Sequence, residues 1–209
     1  MNHLAHVLLA GSNIDMQLGG LLADFWRGAP DPAWRERVRA GLALHRKIDA
    51  YTDNHPAVAR LRKRFEPPFR RYAGILLDIY FDHALARRWN DYASEPLDAV
   101  SERALRLVDE NRDWLPPDLL RFARYMHANS LFAAYAERAM IEQVLIGVSQ
   151  RLRHANPLAE AGPVLWKNAA ALDAGFAEFF SQLQAEALRL RLTLLPPSLE
   201  PGLRQSMPG

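Results

Sequence analysis

Six side chains able to bind a cation sit where helical periodicity turns them toward apolar neighbours: Asp24, His45, Asp49, Asp78, Asp82 and His83. Residues three and four apart share one face of a helix. By that rule His45 and Asp49 continue a stripe begun by Trp34, Val38 and Leu42, while Lys47 and Arg37 fall on the other side. Asp78, Asp82 and His83 lie in a segment, 72–85, that is apolar nearly all round. Asp24 stands in Leu21-Leu-Ala-Asp-Phe-Trp26, just after Gly19 and Gly20, which would let a neighbouring backbone come close. An unpaired buried carboxylate is costly unless it is neutralised, and a divalent cation is the simplest shared partner for three such segments. A mixed nitrogen and oxygen donor set suits Mn²⁺, Mg²⁺ or Fe²⁺, and zinc as well. A plainer reading stands beside this one. A His–Asp pair four apart is commonly a local hydrogen bond worth only a few tenths of a kcal/mol, and inward acids can pair with arginine.

The other candidates carry less. His3 and His6 are one turn apart and either face the same site or belong to an ordinary N-terminal helix, the latter being preferred for His3. His55 precedes Pro56 and reads as a cap, and His127 and His154 have no acid at helical spacing. There is no glycine-rich phosphate loop and no Gly-x-Ser-x-Gly elbow. Absence of cysteine excludes a disulfide framework, thiolate metal sites and thiol catalysis.

The elements that must hold these residues are helices. Apolar spacing is mostly three and four, and strand and hairpin signals are scarce. The chain has 209 residues, 49% of them hydrophobic and 24% charged, a globular composition sized for one domain. We expect an all-α, single compact domain of roughly seven or eight helices spanning 1–195. Helical stretches, nine with the short ones included, fall near 2–9, 16–27, 31–52, 54–65, 67–92, 97–112, 117–128, 131–154 and 163–194. Asp31-Pro32 supplies an N-cap followed by proline, and Pro67-Pro68 opens the long apolar helix. Residues 196–209 read as a flexible tail. No apolar run is long enough to span a membrane, and no basic leader precedes the first apolar run, so a cytoplasmic location is expected.

Net charge is only +2, too little to indicate a nucleic-acid binder. Of the 26 basic residues, only Lys47, Lys63 and Lys167 are lysine. Charge is concentrated between residues 60 and 71, where Arg60, Arg62, Lys63, Arg64, Arg70 and Arg71 face a single acid, Glu66. Such a run is either a solvated helix face or a docking patch for an acidic partner.

Four motifs, in order, carry a family resemblance: Met1-Asn-His-Leu-Ala-His6, Leu21-Leu-Ala-Asp-Phe25, His45-Arg-Lys-Ile-Asp49 with Thr52-Asp53, and Leu77-Asp-Ile-Tyr-Phe-Asp-His83. With a looser match through Ile141-Glu-Gln-Val-Leu-Ile-Gly147, the chain resembles the bacterial acyl carrier protein phosphodiesterases to about residue 190. That family is similar to a diverged, helical branch of the HD-type metal phosphohydrolases. The resemblance implies hydrolytic removal of 4′-phosphopantetheine from the serine of holo acyl carrier protein, with a divalent cation, Mn²⁺ foremost. It implies metal ligands among Asp24, His45, Asp49, Asp82 and His83. The acid precedes the imidazole in Asp82-His83, the reverse of the order in the wider superfamily.

Such chemistry needs an activated water and neutralised phosphoryl oxygens. Asp78 or Asp49 is the candidate general base, and Arg46, beside His45 at the rim, the phosphate clamp. Arg62 and Arg64 would receive the acidic carrier protein. Two other functions remain open: an HD-like phosphohydrolase acting on a nucleotide or other small phosphoester, and a non-enzymatic helical binding module.

Overall fold

The computed structural model describes residues 3–195; the tail expected at 196–209 lies outside them. Eleven α-helices and three short 3₁₀ turns make up the described regular structure, with no strand among the described residues. The chain opens with α1 (His3–Leu9) and α2 (Ile14–Leu22), whose N-cap Asn13 accepts a hydrogen bond from the Met16 amide. A 3₁₀ turn, Ala23–Phe25, extends α2 and carries Asp24. The chain then turns extended at Trp26 and takes φ +90° at Gly28, which ends the helical run expected to continue to 27.

The third helix, α3 (Glu36–Asn54), begins later than expected. Asp31 Oδ1 accepts from the Ala33 amide, closing a local turn instead of starting a helix. Trp34 is therefore outside α3, where it packs against Trp26 and Trp114. His55 ends α3 and caps α4 (Pro56–Arg62) through its Nδ1, which accepts from the Ala57 amide.

The long helix expected over 67–92 divides. A cis peptide joins Pro67 to Pro68, a 3₁₀ turn covers Arg70–Tyr72, α5 runs Ala73–Arg87 and α6 runs Trp89–Tyr92. Then follow α7 (Leu97–Glu110), α8 (Pro117–Ala128), α9 (Leu131–Ala134) and α10 (Arg138–Arg151). The break between α9 and α10 falls at Tyr135, whose carbonyl is taken by His83 Nδ1 at 2.7 Å. A last 3₁₀ turn, Leu158–Glu160, leads to α11 (Gly162–Leu194), the longest helix.

One core unites these elements. Phe81 of α5 stacks on Phe179 and tilts against Phe176 of α11, Tyr92 of α6 meets Phe176 and Phe180 edge-on, and all but Tyr92 are fully buried. The α2/α3 crossing is tighter than ordinary helix packing. A Cβ added at Gly19 would stand 2.0 Å from the Val38 carbonyl oxygen, and one at Gly41 would stand 2.2 Å from that of Met16. Only hydrogen fits at both positions, and this close approach sets where the inward residues of α3 meet α2.

Candidate metal centre

The close crossing puts the Gly20 carbonyl oxygen 2.9 Å from His45 Nδ1. A carbonyl only accepts, so Nδ1 carries the proton and His45 Nε2 points away from α2. Two carboxylates converge on that atom: Asp49 Oδ2, one turn along α3, at 3.1 Å, and Asp24 Oδ1, from the 3₁₀ turn, at 3.4 Å. The His6 ring, from α1, lies flat on the His45 ring with centroids 3.5 Å apart, and its Nε2 is 3.1 Å from Asp49 Oδ1. His3 Nδ1 reaches Asp24 Oδ2 at 3.1 Å while its ring packs on Phe122. The two central imidazoles are almost wholly buried, whereas the side chains of Asp24 and Asp49 are each 41% exposed. The cluster is an acid-rimmed opening over a histidine floor.

Its charges are strongly coupled. Burial opposes charge on His45, but hydrogen bonds and charge from Asp24 and Asp49 outweigh it and raise the ring to about 9. Burial, with repulsion from His45, lowers His6 to about 3, so His6 stays neutral. Burial would raise both acids, yet their histidine partners hold Asp24 and Asp49 well below the usual carboxylate range.

His6, His45 and Asp49 each offer a donor atom, and these atoms all lie within 4.8 Å of one another. Without a proton on Nε2, His45 would set a lone pair against two carboxylate oxygens. A divalent cation satisfies that arrangement as well as a proton does. The carbonyl bond to Nδ1 fixes the tautomer such a ligand needs.

Of the residues expected from sequence, Asp24, His45 and Asp49 come together here. Asp82 and His83 are engaged elsewhere. Asp82 is fully buried and accepts from the backbone amides of Leu4 at 2.9 Å and Ala5 at 3.2 Å, capping α1 from across the fold. Burial pushes its carboxyl up to about 7 even though those amides favour the charged form. His83 donates to the Tyr135 carbonyl and packs against Tyr80 and Trp166, on the side of α5 that faces α9 and α11. Burial lowers its pKa. Asp78 faces a cleft of about 810 Å³ that also borders His3 and Asp24. Burial raises its carboxyl, with Asp49 and Asp53 adding repulsion. Arg46 is exposed and donates to the Trp26 carbonyl at 3.2 Å. Arg62 is paired with Asp53 at 2.5 Å, and Arg64 is exposed.

His6 is the member that the sequence left open, as facing the site or as an ordinary helix residue, and that was not counted among the ligands. Its signal was present: Leu4, Ala5, Val7 and Leu9 around it are all buried, so His6 is a polar residue on an apolar helix, as Asp82 is. His3, expected to be an ordinary helix residue, is tied to the cluster through Asp24.

The fold and the cluster together define a single-domain, all-helical protein with a histidine–carboxylate centre opening into a cleft. The family model for acyl carrier protein phosphodiesterase matches residues 1–183. Among similar proteins, the acyl carrier protein phosphodiesterase of Serratia proteamaculans (strain 568) is 34% identical over 188 residues, covering 90% of this chain and 97% of that protein. That of Escherichia coli (strain K12 / DH10B) is 32% identical over 197 residues, covering 92% of this chain and all of the relative. The chain belongs to the acyl carrier protein phosphodiesterase family. No solved structure matches it significantly. No helix among the described residues is long and apolar enough to cross a membrane.

Proposed function

We propose that the protein hydrolyses the phosphodiester between 4′-phosphopantetheine and the serine of holo acyl carrier protein, releasing apo carrier protein and 4′-phosphopantetheine. The convergence of Asp24 and Asp49 on His45 Nε2, in a chain of this family, carries the reading. His6, His45 and Asp49 would hold a divalent cation, Mn²⁺ first and Mg²⁺ or Fe²⁺ as substitutes, with Asp24 completing the set. When bound, the cation lowers the pKa of a coordinated water and neutralises phosphoryl charge.

The chain's own residues do the rest. The Gly20 carbonyl holds the His45 ring so that Nε2 faces the opening. The stacked His6 ring fixes Asp49 from the other side. Asp78, raised by burial and bordering the same cleft as Asp24, is positioned to take the proton of the attacking water, and a raised pKa makes a carboxylate a better base near neutral pH. Arg46 lies on the solvent side of α3, one residue from His45, and would leave the Trp26 carbonyl to meet phosphate oxygens.

The basic run supports docking of an acidic carrier protein. Arg62, Lys63, Arg70 and Arg71 surround a shallow cleft of about 350 Å³ next to α5, and Arg64 stands exposed nearby. On this reading the partner is a protein, and a cytoplasmic site of action is part of the same proposal. Incubating the purified protein with holo carrier protein and Mn²⁺, then weighing the intact carrier, tests the proposal. Loss of the phosphopantetheine mass is expected, and an unchanged carrier overturns it.

A further inference from the structure

Resting on that reading, we propose that the cleft bounded by α5, α8 and α10 seats the extended diamide arm of the phosphopantetheine group, and that Gly147 keeps the seat open. The cleft borders the cluster, because His3 and Asp24 are among its lining, and it reaches Gln143, Gly147 and Gln150 on α10. Its volume of about 810 Å³ is that of a site for a small organic molecule. A group attached to phosphate at Asp24 has this continuous trough beside it.

The wall chemistry matches an uncharged, amide-bearing chain. Ile75 and Phe122 supply apolar surface, while Gln143 and Gln150 each offer a donor and an acceptor, the pair that an amide requires. Of the two arginines that line the cleft, Arg121 is paired with Asp118, and Arg151 stands exposed at the last turn of α10.

Gly147 supplies the independent observation. It lies inside α10 with an ordinary helical backbone, and glycine is the poorest helix former after proline. Nothing lies within 4 Å of a Cβ built there, unlike at Gly19 and Gly41, where packing demands glycine. The missing side chain serves no neighbour in the fold and instead leaves space on the cleft wall. This residue also ends the Ile141–Gly147 motif, which the metal centre leaves unexplained.

Gly147→Leu fills the trough from an uncrowded helical position, with Gly147→Ala as its small companion. Binding of 4′-phosphopantetheine and of inorganic phosphate to the Mn²⁺-loaded protein is measured by calorimetry, alongside the KM for holo carrier protein. The leucine variant is expected to bind 4′-phosphopantetheine about tenfold or more weakly, to bind inorganic phosphate as the parent does, and to show a raised KM. The alanine variant stays close to the parent, and neither loses melting temperature. Equal 4′-phosphopantetheine affinity in parent and leucine variant overturns the arm site, whatever the hydrolysis assay gives. Failure to hydrolyse holo carrier protein, with the affinity difference intact, overturns the proposed reaction and leaves the arm site standing.

Discussion

His45 Nδ1 and the Gly20 carbonyl oxygen meet at 2.9 Å, and this single bond connects the packing of two helices to the chemistry of the centre. It exists because Gly19 and Gly41 let α2 and α3 approach until a methyl group would collide with backbone. Gly41→Ala is expected to destabilise the protein by about 1–3 kcal/mol through overpacking and to weaken Mn²⁺ binding in the fraction that folds, since His45 loses its carbonyl guide. Denaturant unfolding and metal titration of one preparation check both. Unaltered stability would mean the helices separate without cost.

Substitution of the donors acts on binding more than on folding. The parent is expected to melt at a higher temperature with Mn²⁺, because a ligand stabilises the state that binds it, and His6→Ala and His45→Ala are expected to remove that rise and to abolish hydrolysis. Circular dichroism should show the helical content retained. A full Mn²⁺-dependent melting shift in His45→Ala would place the cation elsewhere.

Asp82 is expected to behave differently. Asp82→Ala strands two buried amides, those of Leu4 and Ala5, and should lower unfolding free energy by about 2–4 kcal/mol. Asp82→Asn keeps one acceptor oxygen and should lose less. Mn²⁺ affinity should persist in the folded fraction of both. Undiminished stability in Asp82→Ala would contradict the capping role.

The metal-free protein should also show a defined pH response. His45 is raised in the folded state from 6.5 to about 9, so its charge contributes stability in full below the unfolded value and loses it as pH climbs through about 9. Asp24 and Asp49 are lowered, so their contribution is present above the ordinary carboxylate value and fades as pH falls below it. Chelator-treated protein should therefore melt at its highest temperature between these limits and lose stability from pH 7 to 10. Saturating Mn²⁺ should flatten the alkaline limb. A metal-free melting temperature that rises toward pH 10 would contradict the charged His45.

Docking is the electrostatic prediction. Lys63→Glu with Arg64→Glu should raise the KM for holo carrier protein while changing turnover little, and parent activity should fall with salt, since attraction between surface charges is screened over about 8 Å at physiological ionic strength. Arg62 is left in place because it pairs with Asp53. An unchanged KM would make the run a solvated face.

Much of this was legible in the sequence because α3 is regular: one helix carries His45 and Asp49 four apart, and spacing alone puts them on one face. Asp24 was legible as an anomaly, although it rides a 3₁₀ turn instead of the helix expected there. Asp82 gave the same inward signal, but periodicity reports burial and not the partner, and the partner is the start of α1 some 78 residues away. His83 shows the same limit: its Nδ1 meets the Tyr135 carbonyl, which lies between α9 and α10 in a stretch expected to be one helix from 131 to 154. The domain was legible as all-α, yet stretches expected as single helices divide, as at Arg88 and Tyr135, so eleven α-helices appear among the described residues where seven or eight were expected.

The central claim is that the His6–His45–Asp49 cluster holds a cation on which hydrolysis depends. Its most direct test titrates Mn²⁺ into chelator-stripped protein, reading bound manganese by electron paramagnetic resonance and apo carrier protein by intact mass in the same samples. Hydrolysis should be absent at first and rise in proportion to manganese bound, with both lost in His45→Ala. Full conversion of holo carrier protein by the stripped protein would contradict it.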